Sequence, residues 1–268
     1  MPESLLFALC AAAYFALAWL FWPGRAACCT QSWAVRGLPW LPFALHAWLL
    51  YGDVYTGSGI ALGFAVSLSA VAALTVLTHS LAAWRYPLGG LLGLVLAFAG
   101  AMVLLHGAMR DATPVPHSDR PLFAAHLIVA LTAYSLYTIA ALQALLMATV
   151  EKHLHRPVPP RLVTALPPLL TLERLLFHLI GAGFVLLTLT LVSGVFFAEE
   201  LFGQPLPFNH KTVFGLTSWV VFGVLLAGRR LYGWRGRTAI TWTLAGFVFL
   251  LLAYVGVKFV LEVILRRT

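Results

Sequence analysis

The sequence predicts an all-α fold, a polytopic bundle of about eight transmembrane helices that fills residues 1–268 as one domain. Three observations carry this. Of the 268 residues 61% are hydrophobic and only 10% charged, against roughly 25% charged in an average soluble domain. Apolar runs near the ~20 residues that a spanning helix needs recur along the whole chain. Lys and Arg concentrate in alternate connections, as they do where loops remain on the cytoplasmic side.

Taken in order, the apolar runs and their breakers place helices at about 3–22, 38–52, 57–80, 87–107, 121–150, 174–201, 211–231 and 239–265. The first, "SLLFALCAAAYFALAWLFW", has no positive segment before it and no small-residue cleavage site after it, so it is expected to remain as a helix. The second, "LPWLPFALHAWLLYG", is short for a span and reads as spanning, tilted or re-entrant. The fifth and sixth are joined by "RPVPPRLVTALPPLLTLER", whose five prolines predict a stiff linker. Lys258 and Glu262 are one turn apart in the eighth, a plausible local pair.

The charge pattern orients the bundle. Arg25, Arg36, Arg85, Lys152, Arg156, Arg161, Arg174, Arg229, Arg230, Arg235 and Arg237 fall on one side, which is expected to be cytoplasmic. Trp19, Trp22, Trp33, Trp40, Trp84, Trp234 and Trp242 gather near the same interface. Both termini are then expected outside, in a multi-pass membrane protein. "GWRGR", Gly233 to Arg237, reads as an anchor to anionic lipid.

Several functions are excluded. The net charge of +8 resides in short loops, so membrane lipid rather than nucleic acid is the expected partner. Cys10, Cys28 and Cys29 form no Cys-x-x-Cys and no Cys-x-x-Cys-His, which leaves thiol redox chemistry and covalent haem attachment without their residues. There are no paired carboxylates at membrane depth, no Gly-x-Ser-x-Gly, no phosphate loop and no His-Glu-x-x-His, so the chain is not expected to be an enzyme.

The nine histidines sort by depth. His106, His117, His126 and His210 gather at the expected outer end; His79, His153, His155 and His178 lie toward the inner end, and His46 falls inside the second segment. An ionisable side chain at membrane depth is costly, usually faces the bundle interior, and often marks function. A neutral imidazole is a common metal ligand, and two on facing helices can hold a haem iron. A histidine that only donates to a neighbouring carbonyl is the plain alternative. Likewise, Ala130, Ala133, Ser135 and Ala140 on the fifth helix, and Gly181, Gly183, Thr188, Thr190, Ser193 and Gly194 on the sixth, suit close helix packing or a flat cofactor equally well.

Four blocks in order carry a resemblance: His126 opening "HLIVALTAYSLYTIAALQALL", then "LPPLLTLERLLFHLIGAGFVLLTLTLVSG", "HKTVFGLTSWVVFG" and "GWRGRTAITWTLAGFVFLLLAYVGVKFVLEVI". Over residues 121–265 the chain resembles the cytochrome c assembly superfamily of CcsA-, ResC- and HemX-type membrane proteins, most closely its YpjD branch. The resemblance implies haem handling, since assembly members move haem across the membrane and present it to apocytochrome c. His126 matches the first external histidine of that family, and Lys211 and Thr212 match the end of its Pro-Lys-Glu-Thr run. The chain also departs from the pattern. Between Gly194 and Lys211 it has no tryptophan, it has no histidine near Gly228, and the second external histidine is missing. These departures argue against a full haem exporter and ligase. The expectation is a haem-associated, non-catalytic protein related to cytochrome c biogenesis, working with other membrane or cytochrome-assembly proteins. In it His126 is the candidate iron ligand, His210 or His106 its partner, and His178 a candidate on the inner side. A cofactor-free scaffold or accessory subunit of another membrane complex is the alternative. A transporter ranks below both, because no internal repeat or pair of broken helices is visible.

Overall fold

A computed structural model describes residues 3–22, 36–55, 59–86, 88–110, 114–115, 118, 120–153, 166–202 and 210–256. Among them are eight α-helices: α1 Glu3–Leu20, α2 Trp40–Val54, α3 Phe64–Ala82, α4 Gly89–Ala108, α5 Pro121–His153, α6 Leu169–Phe202, α7 His210–Tyr232 and α8 Arg237–Leu251. All but α2 are long and apolar enough to cross a membrane, α8 by continuing to Tyr254. The 15 residues of α2 rise only about 22 Å, less than the ~30 Å hydrocarbon core.

The expected helices are present, with three differences. The third starts at Phe64 rather than near residue 57. Tyr55 pairs with Ile60 and Ala61 with Pro114 in isolated antiparallel bridges, which hold the chain extended before α3. The sixth starts at Leu169, five residues early, and takes up the end of the proline-rich linker. The eighth keeps α-geometry to Leu251 and then loosens into a π-helical turn, Leu252–Gly256. A cause lies nearby: the Tyr134 hydroxyl donates to the Leu250 carbonyl at 2.8 Å, and a side chain entering a helix ladder commonly produces such a widening. The expected Lys258–Glu262 pair, Cys28 and Cys29, His117 and His155 lie outside the described residues.

Two packed groups share α5. In the first, Phe7, Cys10, Ala11 and Tyr14 of α1 meet Val95, Leu96, Ala99 and Val103 of α4, with Ala72 and Val76 of α3 beside them. Ile139 and Leu146, seven residues apart on α5, close this group. Tyr137, Ala140, Ala144 and Met147 point the other way, onto α6, α7 and α8. Lipid tails are as apolar as leucine, so contact area between the helices comes from small residues rather than from expelling water. The glycines show this. The Tyr137 ring stacks on Phe222 at 4.0 Å, and a Cβ at Gly183 would stand 3.1 Å from Tyr137, one at Gly246 2.8 Å from Phe222. The Tyr137 ring of α5 therefore fills the small-residue face of α6 at Gly183, and the Phe222 ring of α7 that of α8 at Gly246, which decides for packing at these points.

The "GWRGR" turn is bound into the bundle. Trp234 lies across Gly228, where a Cβ would come within 2.4 Å of its ring, and Arg229 donates to the Trp234 carbonyl at 3.1 Å. Trp234 of that turn is thus packed in the bundle, while Arg235 and Arg237 are exposed.

Candidate functional site

The helix termini bring Glu3, Asp53, His106, Arg110, His126 and His210 to one end of the bundle. His126 lies in the second turn of α5, half-buried, with its ring stacked on Phe123 at 24° and met edge-on by Phe197 of α6. Its Nδ1 is 2.7 Å from Ser193 Oγ. The Ser193 hydroxyl already directs its hydrogen to the Leu189 carbonyl at 2.6 Å. The serine oxygen must then accept, which puts the histidine hydrogen on Nδ1 and the lone pair on Nε2. No described residue hydrogen-bonds Nε2. An imidazole fixed through one nitrogen, with the other bare, is the usual arrangement of a metal-ligating histidine. On that count His126 fits as an axial ligand to a haem iron. Toward α6 the ring is in close packing: a Cβ at Gly194 would stand 3.7 Å from it, at ordinary van der Waals contact.

The other expected site residues lie apart from it. His210 is exposed at the first position of α7, at the same end. Beside it, the Lys211 ammonium sits 5.6 Å over the Tyr254 ring, and the Tyr254 hydroxyl meets Ser67 at 3.3 Å, so the lip of α7 is drawn toward α8 and α3. His178 is exposed in the first third of α6. His79 is buried and reaches the Leu88 carbonyl at 3.3 Å through Nε2. No contact joins His79 to His178, or His126 to His106 or His210, among the described residues.

His106 belongs to a different constellation, in the α1–α4 half. It is fully buried, with Nδ1 3.2 Å from Ser69 Oγ and Nε2 3.0 Å from Asp53 Oδ2. Ser69 Oγ is also 2.8 Å from His46 Nε2, and His46 Nδ1 is 3.3 Å from the Tyr14 hydroxyl. At the membrane end, Asp53 Oδ1 accepts from Arg110 at 2.8 Å, while Arg110 also pairs with Glu3 and lies over the Phe7 ring. These two carboxylates hold the guanidinium pKa above its ordinary value. Both nitrogens of His106 are thus engaged within this chain of contacts.

The sequence placed His126 and His106 at one end of the bundle but gave Ser193 only a packing role, and it gave Tyr14, Ser69 and Asp53 no part in a site. His46 was located but not assigned. Between His126 and Ser193 there are 67 positions, and between Ser69 and His106 there are 37, so no local spacing could have paired them.

Comparison with known proteins adds the relationship. The cytochrome C assembly protein family model matches residues 39–265. The chain belongs to the cytochrome c assembly protein family. It is 34% identical over 235 residues to the inner membrane protein YpjD of Escherichia coli K12, covering 86% of each chain. It is 35% identical over 92 residues to the cytochrome c biogenesis protein CcsA of Gloeobacter violaceus, covering 34% of this chain and 27% of that one. A CcsA of Rippkaea orientalis matches over 113 residues at 34% identity, 39% of this chain and 33% of its own. With seven helices able to cross a membrane, this member of the cytochrome c assembly family is a multi-pass protein of the bacterial inner membrane.

Proposed function

We propose that the protein is a non-catalytic, haem-associated member of the cytochrome c biogenesis machinery, and that it holds haem at the end of the bundle carrying His126. Membership of the cytochrome c assembly family supports a role in haem handling. The observation that carries the residue assignment is the Ser193 contact, which fixes the His126 hydrogen on Nδ1 and leaves Nε2 as the ligand atom. Bound there, the iron would supply a redox-active, strongly coloured centre. The chain's own residues would orient and shield it, with Ser193 setting the tautomer and Phe123 and Phe197 covering the imidazole. His210 is the proposed second ligand, at the start of α7 on the same face of the membrane. In this reading the His126 end is the outer one, because the basic connections lie at the other.

The test is the visible spectrum of detergent-purified protein, oxidised and dithionite-reduced, beside His126→Ala and His210→Ala variants. A Soret band with sharp reduced bands, lost in the His126 variant, is the expected result. If the protein is folded yet colourless when produced with excess haem, the reading fails and a cofactor-free scaffold replaces it. The lack of tryptophan between Gly194 and Lys211 favours that second reading.

A further inference from the structure

The buried chain from Tyr14 to Asp53 has a direction. Asp53 Oδ2 and His106 Nε2 stand 3.0 Å apart, at ion-pair distance but outside hydrogen-bond geometry, and neither has any other partner among the described residues. A carboxylate has no hydrogen to give, so His106 carries its hydrogen on Nε2, and its Nδ1 must accept from Ser69. The Ser69 oxygen then accepts from His46 Nε2, which leaves His46 Nδ1 to accept from the Tyr14 hydroxyl. Every hydrogen in the series points toward Asp53. One carboxylate thus sets the tautomer of two histidines on different helices.

A second arrangement of the same atoms gives every group a partner at the same contacts, with Asp53 and His106 as an ion pair. If His106 takes up one proton, both its nitrogens donate, Nε2 to Asp53 and Nδ1 to Ser69. The Ser69 oxygen can then accept from both histidines, provided its own hydrogen turns elsewhere. A carbonyl of the preceding turn is the natural acceptor; Thr75 and Thr78 on the same helix bond the Val71 and Leu74 carbonyls in that way, each at 2.7 Å. One proton enters from water and none leaves, one hydroxyl rotates, and the His46 tautomer is unchanged. Buried polar groups usually have one satisfied arrangement and are costly in any other. This cluster has two.

We propose that His106 is a proton-binding site, with Asp53 as its counter-ion and Ser69 as the adaptor that keeps the cluster satisfied in both states. The groups facing it are Phe7 and Glu3 of α1, Asp53 and His46 of α2, Ser69 of α3, and Arg110 just beyond α4. Burial and the Arg110 guanidinium oppose charge on the ring, and the Asp53 carboxylate, 3.0 Å away, favours it. Access is short. The Asp53 side chain is 17% and Arg110 38% exposed, so protons reach the carboxylate from the membrane face. Beyond His46, Tyr14 is fully buried in apolar core, which makes the cluster a place where a proton is bound rather than conducted across. The inference does not depend on what His126 holds.

The experiment is nitrogen NMR of histidine-labelled full-length protein in nanodiscs, titrated from about pH 8 to about pH 5, a range that brackets the ordinary histidine pKa. Single His106→Gln and His46→Gln variants assign the two residues. At the alkaline end both rings are expected with hydrogen on Nε2. As pH falls, His106 gains its second hydrogen before His46 does, and Asp53→Asn moves that midpoint down by at least one pH unit. Ser69→Thr, which keeps the hydroxyl, is expected to titrate like the native chain. His106 found with its hydrogen on Nδ1 at the alkaline end, neutral throughout, or unmoved in Asp53→Asn would overturn the proposal. Should Asp53→Asn fail to fold, the order of protonation in the native chain decides: His46 first, or neither, ends the idea.

Discussion

Glu173, only 3% exposed, accepts a 2.6 Å hydrogen bond from the Gly236 N–H through Oε1, and so ties the start of α6 to the turn that opens α8. Gly236 can occupy that turn because its φ is +57°, a region that residues with a Cβ avoid. The carboxylate and the glycine form one device at the end of the bundle opposite His126.

Removing the acceptor leaves a buried N–H without a partner, a loss of about 1–3 kcal/mol. Glu173→Ala should therefore lower the thermal midpoint of the detergent-solubilised protein clearly. Glu173→Gln, which retains an amide oxygen in the same place, should lose less. Gly236→Ala should cost about 1–2 kcal/mol through backbone strain alone. Unfolding followed by circular dichroism in one detergent compares all three.

At the seam of α5 with α6, α7 and α8, overpacking should be the damaging change. A Cβ at Gly246 would stand 2.8 Å from the Phe222 ring, which is already stacked on Tyr137. Gly246→Leu is expected to destabilise by about 1–3 kcal/mol, the usual range for excess volume in a filled core. Gly181, with nothing near its Cβ position, should accept alanine with little change. Equal losses at the two positions would contradict this account of the packing.

Two carboxylates hold Arg110, and they should differ in importance. Glu3 is 66% exposed, so its pairing is screened by water and Glu3→Ala should change stability by no more than about 0.5 kcal/mol. Asp53 is 17% exposed and serves both Arg110 and His106. Asp53→Ala leaves a buried donor unanswered and should cost about 1–3 kcal/mol. The ranking of the two variants in a thermal-shift assay is the check.

Ser193→Ala addresses the proposed haem site without touching the ligand. Loss of its oxygen frees the His126 ring to turn and to place its hydrogen on either nitrogen. Losing such an orienting partner typically weakens metal binding by about 10- to 100-fold. Haem titration followed at the Soret band should show that loss, with Ser193→Thr close to the native chain. An unchanged affinity in Ser193→Ala would remove the Ser193 argument for His126.

Much of the fold was legible in the sequence because a bilayer imposes it. Spanning segments must satisfy their backbone internally and match the hydrocarbon thickness, so a run such as "GGLLGLVLAFAGAMVLLHGA" is a helix wherever it packs. The shortness of α2 was visible for the same reason. The start of α3 was not, because residues 59–61 are held extended by Tyr55 and by Pro114, which is 53 positions beyond Ala61. Trp234 and Arg229 illustrate the same limit. The sequence does not show that the Trp234 indole packs on Gly228 or that its carbonyl accepts from Arg229.

For the site the division is sharper. Hydropathy placed His126, His106 and His210 at one end of the bundle, since depth follows from position along a spanning helix at about 1.5 Å per residue. It could not say which of them shares a contact. His126 turns to Ser193, whereas His106 turns to Ser69 and Asp53, and each choice is made by the rotation of helices about their axes and by which neighbours they meet. The sequence by itself determined the class, the order of the helices and the end of the bundle where the imidazoles gather, because those depend on transfer of each segment into lipid. Only the tertiary structure decided which hydrogen each imidazole carries and which nitrogen it leaves bare, because that depends on atoms within about 3 Å contributed by helices distant in the chain.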